Sequence, residues 1–193
     1  MSLRPLAGVA VVTSVAASAA LAADPEPFDR ILPKDSAVCL ERHYDAKHLR
    51  AHPRQNVIHM RLYRTGEDIA RDNGANPPDS YRSFTIAATF RQHPNVVFLE
   101  SAFCNLDRKT GTTSCGGCGA QPITLSIDGA GRVTLKGYTR AFEIECDEVS
   151  KRGTLTGSDD AMIVLASAPA AQCNEAELKK RAPWAVWKKQ KAG

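Results

Sequence analysis

Cys115-Gly116-Gly117-Cys118 has the spacing of a thiol-disulfide centre. Redox work at such a pair needs a thiolate with a lowered pKa, usually supplied by a helix N-terminus. Here Gly119-Ala120-Gln121-Pro122 follows, and the next residues alternate as a strand does. The pair therefore reads first as structural cysteines, with a redox pair as the alternative. A structural zinc would need four ligands, commonly two close pairs. Cys146 and Cys173 stand alone, so the second pair is missing.

His48 and His52 are the metal-ligand candidates. They are four residues apart and share a face if the segment is helical. Imidazoles suit Zn²⁺ or Cu²⁺, and His43 and His59 lie near in sequence. No His-Glu-x-x-His motif is present and no acidic residue stands between the two. Locally hydrogen-bonded histidines are the plainer reading, and a histidine metal site is a further alternative. Glu143, Glu145 and Asp147 share one strand face, with Glu148 beside them. Glycoside hydrolysis needs carboxylates that flank the substrate, so this row reads as a solvated outer face. Asp159-Asp160 lacks the acidic ladder of a calcium loop. No Gly-x-Ser-x-Gly elbow, Walker loop or dinucleotide glycine motif occurs. No catalytic residue is assigned and no cofactor is expected.

The compartment follows from the N-terminus and the cysteines. Arg4, the apolar run Leu6 to Val15 and the small residues ending in Ala20-Leu21-Ala22 form the pattern of a signal peptide over residues 1–22. The six cysteines are an even set, which in an exported chain reads as disulfides. A periplasmic or secreted protein is expected. The whole chain has a formal charge of +4. Its excess sits in residues 174–193, where six basic residues meet two acidic ones. The body, 23–173, is nearly neutral and lacks the basic stripe of a nucleic-acid-binding fold. In the tail, Lys179, Lys180, Arg181, Lys188, Lys189 and Lys191 interleave with Trp184 and Trp187, a pattern suited to weak contact with anionic surfaces.

The elements that must position these residues read mainly as strands. Residues 24–36 are Pro-rich and polar, an extended lead-in. Tyr44 to His52 is a short helix with Asp45 as its cap and Pro53 as its stop. Residues 57–63, 84–90, 96–104, 123–127, 133–135, 142–146 and 162–166 alternate apolar and polar side chains or run apolar, as strands do. Residues 66–80 read as a long polar loop, Asp128-Gly129-Ala130-Gly131 as a hairpin turn, and 175–181 as a helix capped by Asn174. Strands with turn signals between them, and no β-α-β alternation, imply an antiparallel barrel or sandwich of seven or eight strands with short terminal helices.

Placement of the cysteines suggests three staples. Cys39 and Cys173 bracket the body. Cys104 and Cys115 flank a polar segment that reads as a hairpin loop. Cys118 and Cys146 remain to pair across the sheet. The function expected is binding of a protein or small ligand, without catalysis and without nucleic acid; a thiol-disulfide protein using Cys115 and Cys118 is the rival. The signal pattern predicts a mature chain starting at Ala23. Intact-mass measurement of exported protein checks this, and a mass that retains Leu6 would refute it.

Overall fold

The computed structural model describes residues 27–74, 81–107, 112–117, 123–137 and 156–182. Eight antiparallel strands follow one another around a closed barrel in chain order: β1 (Val38–His43), β2 (Val57–Arg64), β3 (Tyr81–Phe90), β4 (His93–Asp107), β5 (Thr112–Gly117), β6 (Ile123–Ile127), β7 (Val133–Lys136) and β8 (Met162–Ser167). Among the described residues four short α-helices accompany them: α1 (Pro27–Ile31), α2 (Ala46–Ala51), α3 (Gly66–Gly74) and α4 (Glu175–Lys180). Of the two architectures left open by the alternating pattern, the barrel is the one formed.

Alternation decides which side chain goes inside. Leu40, Met60, Leu62, Phe84, Ile86, Ala88, Leu125, Leu135, Ile163 and Leu165 belong to one buried cluster that fills the barrel. Phe90 and Phe98 meet edge to face within it, ring centres 5.4 Å apart. The outward positions of β6, β7 and β8 carry Thr124, Ser126, Lys136 and Ala166, which are exposed. A barrel crossing lipid must be apolar outside and polar within, so this polarity is the reverse of a membrane barrel. Among the described residues, no helix is long and apolar enough to cross a membrane.

Part of the barrel wall is covered on both faces. Tyr63, Ala87 and Val97 face outward and are fully buried beneath Cys173 and Leu178. α4 makes that cover, with Asn174 accepting from the backbone N–H of Glu177 as its cap, and the backbone N–H of Val97 donates to the carbonyl of Arg181. The sequence places two-sided burial on 96–104. It holds for 96–100 and gives way to alternation from Ser101, and it also extends over β3 and over residues 60–64 in the second half of β2.

Several elements differ from those read in the sequence. The lead-in contains α1, whose Phe28 and Ile31, with Leu32 just after, are buried against the barrel. Pro27 suits a first helical position because the N–H it lacks would have no partner there. β1 was not predicted as a strand. Its alternation is plain only at Val38 and Leu40, the residues that turn inward. The polar loop at 66–80 holds α3. Its start is a reciprocal cap: Thr65 Oγ1 accepts from the Asp68 N–H, and Asp68 accepts from the Thr65 N–H. The segment between Cys104 and Cys115 is no simple loop, because β4 and β5 pair across it from Ala102↔Gly117 to Asp107↔Thr112. α2 starts and stops where expected, with the Asp45 carboxylate accepting from the His48 N–H at 2.7 Å. The expected strand at 142–146 lies outside the described residues.

Among the described residues two disulfides are present, Cys39–Cys173 and Cys104–Cys115. The first spans 134 residues and joins β1 to the segment before α4; the second spans 11 and bridges facing positions of β4 and β5. In the chain-entropy model the long loop contributes about 5 kcal/mol and the short one about 3. The expected pair Cys118–Cys146 lies outside the described residues. Disulfides of this kind are compatible with an oxidising, extracytoplasmic compartment.

At the α2 end of the barrel one carboxylate gathers three backbone donors. Asp160, fully buried, accepts from the N–H groups of Asn56, Val57 and Gly157 at 2.6–3.2 Å. Burial pushes its carboxyl above the ordinary value, against the pull of these donors. The anchor requires Gly157 to lie directly on the preceding chain. A Cβ there would come within 1.6 Å of the Arg54 carbonyl oxygen, a backbone atom that cannot swing away. Gly157→Ala is expected to lower the melting temperature by several degrees, on the order of 2 kcal/mol of overpacking. Gly129→Ala, where an added Cβ meets nothing within 4 Å, should stay within about 0.5 kcal/mol of the parent. Parallel thermal melts check the pair, and equal melting temperatures would contradict the analysis.

Candidate functional site

The α1 end is built around two buried arginines. Arg64, at the end of β2, is 1% exposed. Its Nη1 donates to Asp72 on α3 at 2.6 Å and to the Ser83 carbonyl at 2.7 Å, and its Nη2 donates to the Lys34 carbonyl at 3.1 Å. One side chain thus ties the α1–β1 connection, α3 and β3 together. Asp72 also accepts from the Ser83 hydroxyl at 2.6 Å and backbone N–H at 2.9 Å. Burial works against its charge, yet these bonds and the Arg64 guanidinium together hold the carboxyl below its ordinary value. Arg82, beside it on β3, donates to Asp29 of α1 at 3.1 Å and lies over the Phe28 ring. A cation over an aromatic face adds about 0.5–2 kcal/mol. These contacts hold α1 in the mouth of the barrel.

Next to this plug lies a half-open cavity of about 640 Å³ at the β1–β8 seam. Its apolar wall includes Val38, Leu40, Ile127 and Val133, and Ala168 and Ala170 contribute from the segment after β8. The Cys39–Cys173 disulfide forms part of the wall. Thr65 and Ser167 bring hydroxyls and Arg30 an exposed basic group, while the side chains of Tyr63 and Arg64 lie behind the wall, closed to solvent. Burial raises the phenol of Tyr63 well above its ordinary value. Among the described lining residues there is no carboxylate. The Arg64 Nε is buried and has no hydrogen-bond acceptor among the described residues, a condition that costs about 1–3 kcal/mol for a buried donor. The volume and the lining, mostly apolar with a few polar groups, suit a small ligand.

The hairpin between β6 and β7 fixes the far lip of the cavity. Asp128 Oδ1 accepts from the N–H groups of Ala130 and Arg132, and the Gly131 N–H donates to the Asp128 carbonyl. Gly131 takes φ +76°, which glycine adopts without the Cβ penalty of other residues.

Of the residues singled out from the sequence, Cys39 and Cys173 lie in the cavity wall and the others described fall elsewhere. His48 and His52 stack with ring centres 4.3 Å apart at the α2 end, and His48 also stacks on Tyr44. His48 Nε2 is hydrogen-bonded to Gln55 Oε1 at 3.0 Å. Among the described residues no group of three or more ligand-type side chains is placed to hold a metal. His43 and His59 face each other across β1 and β2, and His59 Nε2 is 3.0 Å from Glu41. Burial, then the nearby Arg61, lower the pKa of His59 despite Glu41. Cys115 is bonded to Cys104 and both are buried; a redox couple with Cys118 would require Cys115 to be released from that bond. In the tail, Lys179 and Lys180 pair with Glu175 and Glu177, and Arg181 donates to the Pro94 carbonyl. Trp184, Trp187, Lys188, Lys189 and Lys191 lie outside the described residues, as does the acidic row from Glu143 to Glu148.

Apart from Cys39 and Cys173, the residues that line the cavity, and the Asp72 that holds Arg64 behind it, were missed in the sequence. Arg64 and Asp72 are nine-tenths buried charges, and no local pattern marks a charge as buried. The reciprocal cap Thr65-Gly66-Glu67-Asp68 was the available signal, since it announces α3 and hence places Asp72 beside the end of β2.

Comparison of the chain with protein-family models, with curated proteins and with solved structures finds no match.

Asp72→Asn is expected to destabilise the fold by about 3–5 kcal/mol, because it strands the buried Arg64 charge. The pH dependence has a definite sign. The carboxyl takes up a proton near 3.8 when unfolded and at lower pH when folded. Its contribution is fully present above 3.8 and declines as pH falls toward the folded value, because the unfolded chain then binds more protons. Urea midpoints measured from neutral pH down to pH 3 check both effects. An unchanged midpoint at neutral pH would show that the Arg64–Asp72 pair contributes no net stability.

Proposed function

We propose that this protein is an exported, non-enzymatic carrier or sensor that holds a small molecule in the cavity at the α1 end of its barrel. The observation that carries the reading is the cavity itself: about 640 Å³, half open, with walls drawn from strands, a hairpin and a disulfide rather than from one movable loop. The barrel interior is filled by its own side chains, which leaves the rim as the place for a ligand. The signal-peptide pattern and the disulfides support a periplasmic or secreted location. A protein partner remains compatible with the fold, but no described feature favours it over the cavity.

A binding experiment tests the reading. Purified mature protein is melted with and without small amphiphiles of anionic, neutral and cationic head groups, and at least one is expected to raise the melting temperature in a concentration-dependent way. Ala170 lines the cavity yet is exposed, so Ala170→Trp should fill the space without disturbing the core and abolish the shift. If no amphiphile shifts the parent protein, or if the tryptophan variant responds like the parent, the cavity is no binding site.

A further inference from the structure

We infer that the α2 end of the barrel is a docking face for an anionic lipid bilayer, a role that does not depend on whether the cavity holds a ligand. The nearly neutral sum over residues 23–173 hides two unlike ends. At the α1 end the basic side chains are largely matched: Arg64 with Asp72, Arg71 with Asp68, Arg82 with Asp29 and Arg132 with Asp128. The α2 end is different. α2 brings Lys47 and Arg50, the segment after it Arg54, the end of β1 Arg42, the β3–β4 turn Arg91 and the end of β7 Lys136, all exposed. Of these six, only Arg54 has a carboxylate partner among the described residues, Asp159. Arg91 donates to the carbonyls of Leu49 and His52, and Arg42 lies over the Tyr44 ring, so both charges stay beside α2. The other carboxylates here are engaged by backbone N–H groups: Asp45 caps α2, and Asp160 is buried.

Two further observations point to a bilayer rather than to a soluble anion. Met162 is 56% exposed at this end, in register with Lys136 across β7 and β8. An apolar side chain among cations suits the boundary between head groups and acyl chains, and it gains nothing from a free phosphate or a polysaccharide. The chain also leaves the fold here: the Val97 N–H donates to the Arg181 carbonyl, and Arg181 donates to the Pro94 carbonyl at the start of β4. Beyond residue 182 the sequence adds Lys188, Lys189, Lys191, Trp184 and Trp187 and no acidic side chain. Trp and Lys are the residue types favoured at membrane interfaces. The contact is peripheral, since the barrel is apolar inside and polar outside.

The test is co-sedimentation of the mature full-length protein with vesicles of phosphatidylcholine, alone or mixed equally with phosphatidylglycerol. The protein should sediment with the mixed vesicles only. It should be released when salt rises from about 0.1 M to about 1 M, because screening shortens the reach of exposed charges. Each basic residue near an anionic leaflet contributes about fivefold in affinity, so Lys47→Gln combined with Arg50→Gln should weaken binding about 25-fold. Arg71→Gln combined with Arg132→Gln removes the same charge at the α1 end, one strand length away, and should cost less than about threefold. All four side chains are exposed, and thermal melts check that the variants fold. Met162→Ser should weaken vesicle binding severalfold. Absence of binding to the mixed vesicles, or equal binding to phosphatidylcholine, would overturn the inference. Equal losses in the two double variants would assign the attraction to net charge, and no loss in the Lys47 and Arg50 variant would assign it to residues beyond 182; either result overturns the docking face. A soluble sulfated polysaccharide that binds as tightly as the mixed vesicles, with Met162→Ser without effect, would make this end a polyanion site and overturn the bilayer.

Discussion

Closure of the barrel rests on its seam. Neighbouring strands elsewhere share up to nine register pairs, as β3 and β4 do, whereas β1 and β8 share two, Leu40↔Ser167 and Glu41↔Ala166. A barrel with so short a closing ladder would be prone to opening along that line, since an unpaired edge exposes a row of backbone donors and acceptors. The chain answers with a further hydrogen bond from the Ala168 N–H to the Cys39 carbonyl and with the Cys39–Cys173 disulfide beside it. The long-range crosslink thus stands at one of the two shortest ladders, β5 and β6 also sharing two register pairs.

The two ends of the barrel are closed by different chemistry. At the α2 end, Asp160 anchors backbone N–H groups and Arg91 reaches the carbonyls at the end of α2. Both are side-chain solutions to backbone groups that secondary structure leaves unpaired. At the α1 end, Arg64 and Arg82 each meet a carboxylate from a different helix. Buried pairs of this type add little net stability over apolar packing, but the loss of one partner is severe. They therefore act as specifiers of position: α1 and α3 are docked in one arrangement, and the cavity inherits its shape from that arrangement.

How much of this was legible in the sequence follows the physics of each signal. Period-two alternation marked β2, β3, β6, β7 and β8, because each turns one face to the core. Asp45 and Asn174 marked helix starts through a local hydrogen bond that needs no knowledge of the rest of the chain. α1 was hidden by its prolines and its brevity, since Phe28 and Ile31 give an apolar stripe of a single turn. β5 was hidden by Thr, Ser and Gly, which carry little hydrophobic pattern; its partner β4 makes it a strand. The candidate site was the least legible part. Its lining comes from positions as distant as Arg30, Tyr63, Val133 and Ala170, which only closure of the barrel brings together.

The disulfide that seals the seam also forms part of the cavity wall. A chain that has not yet met an oxidising environment lacks that wall in its finished form. Under the binding reading proposed above, the capacity to hold a ligand would then be coupled to redox surroundings: a copy kept among reducing thiols would compete poorly for a pool of the same molecule, and it would become a binder only where its disulfide can form.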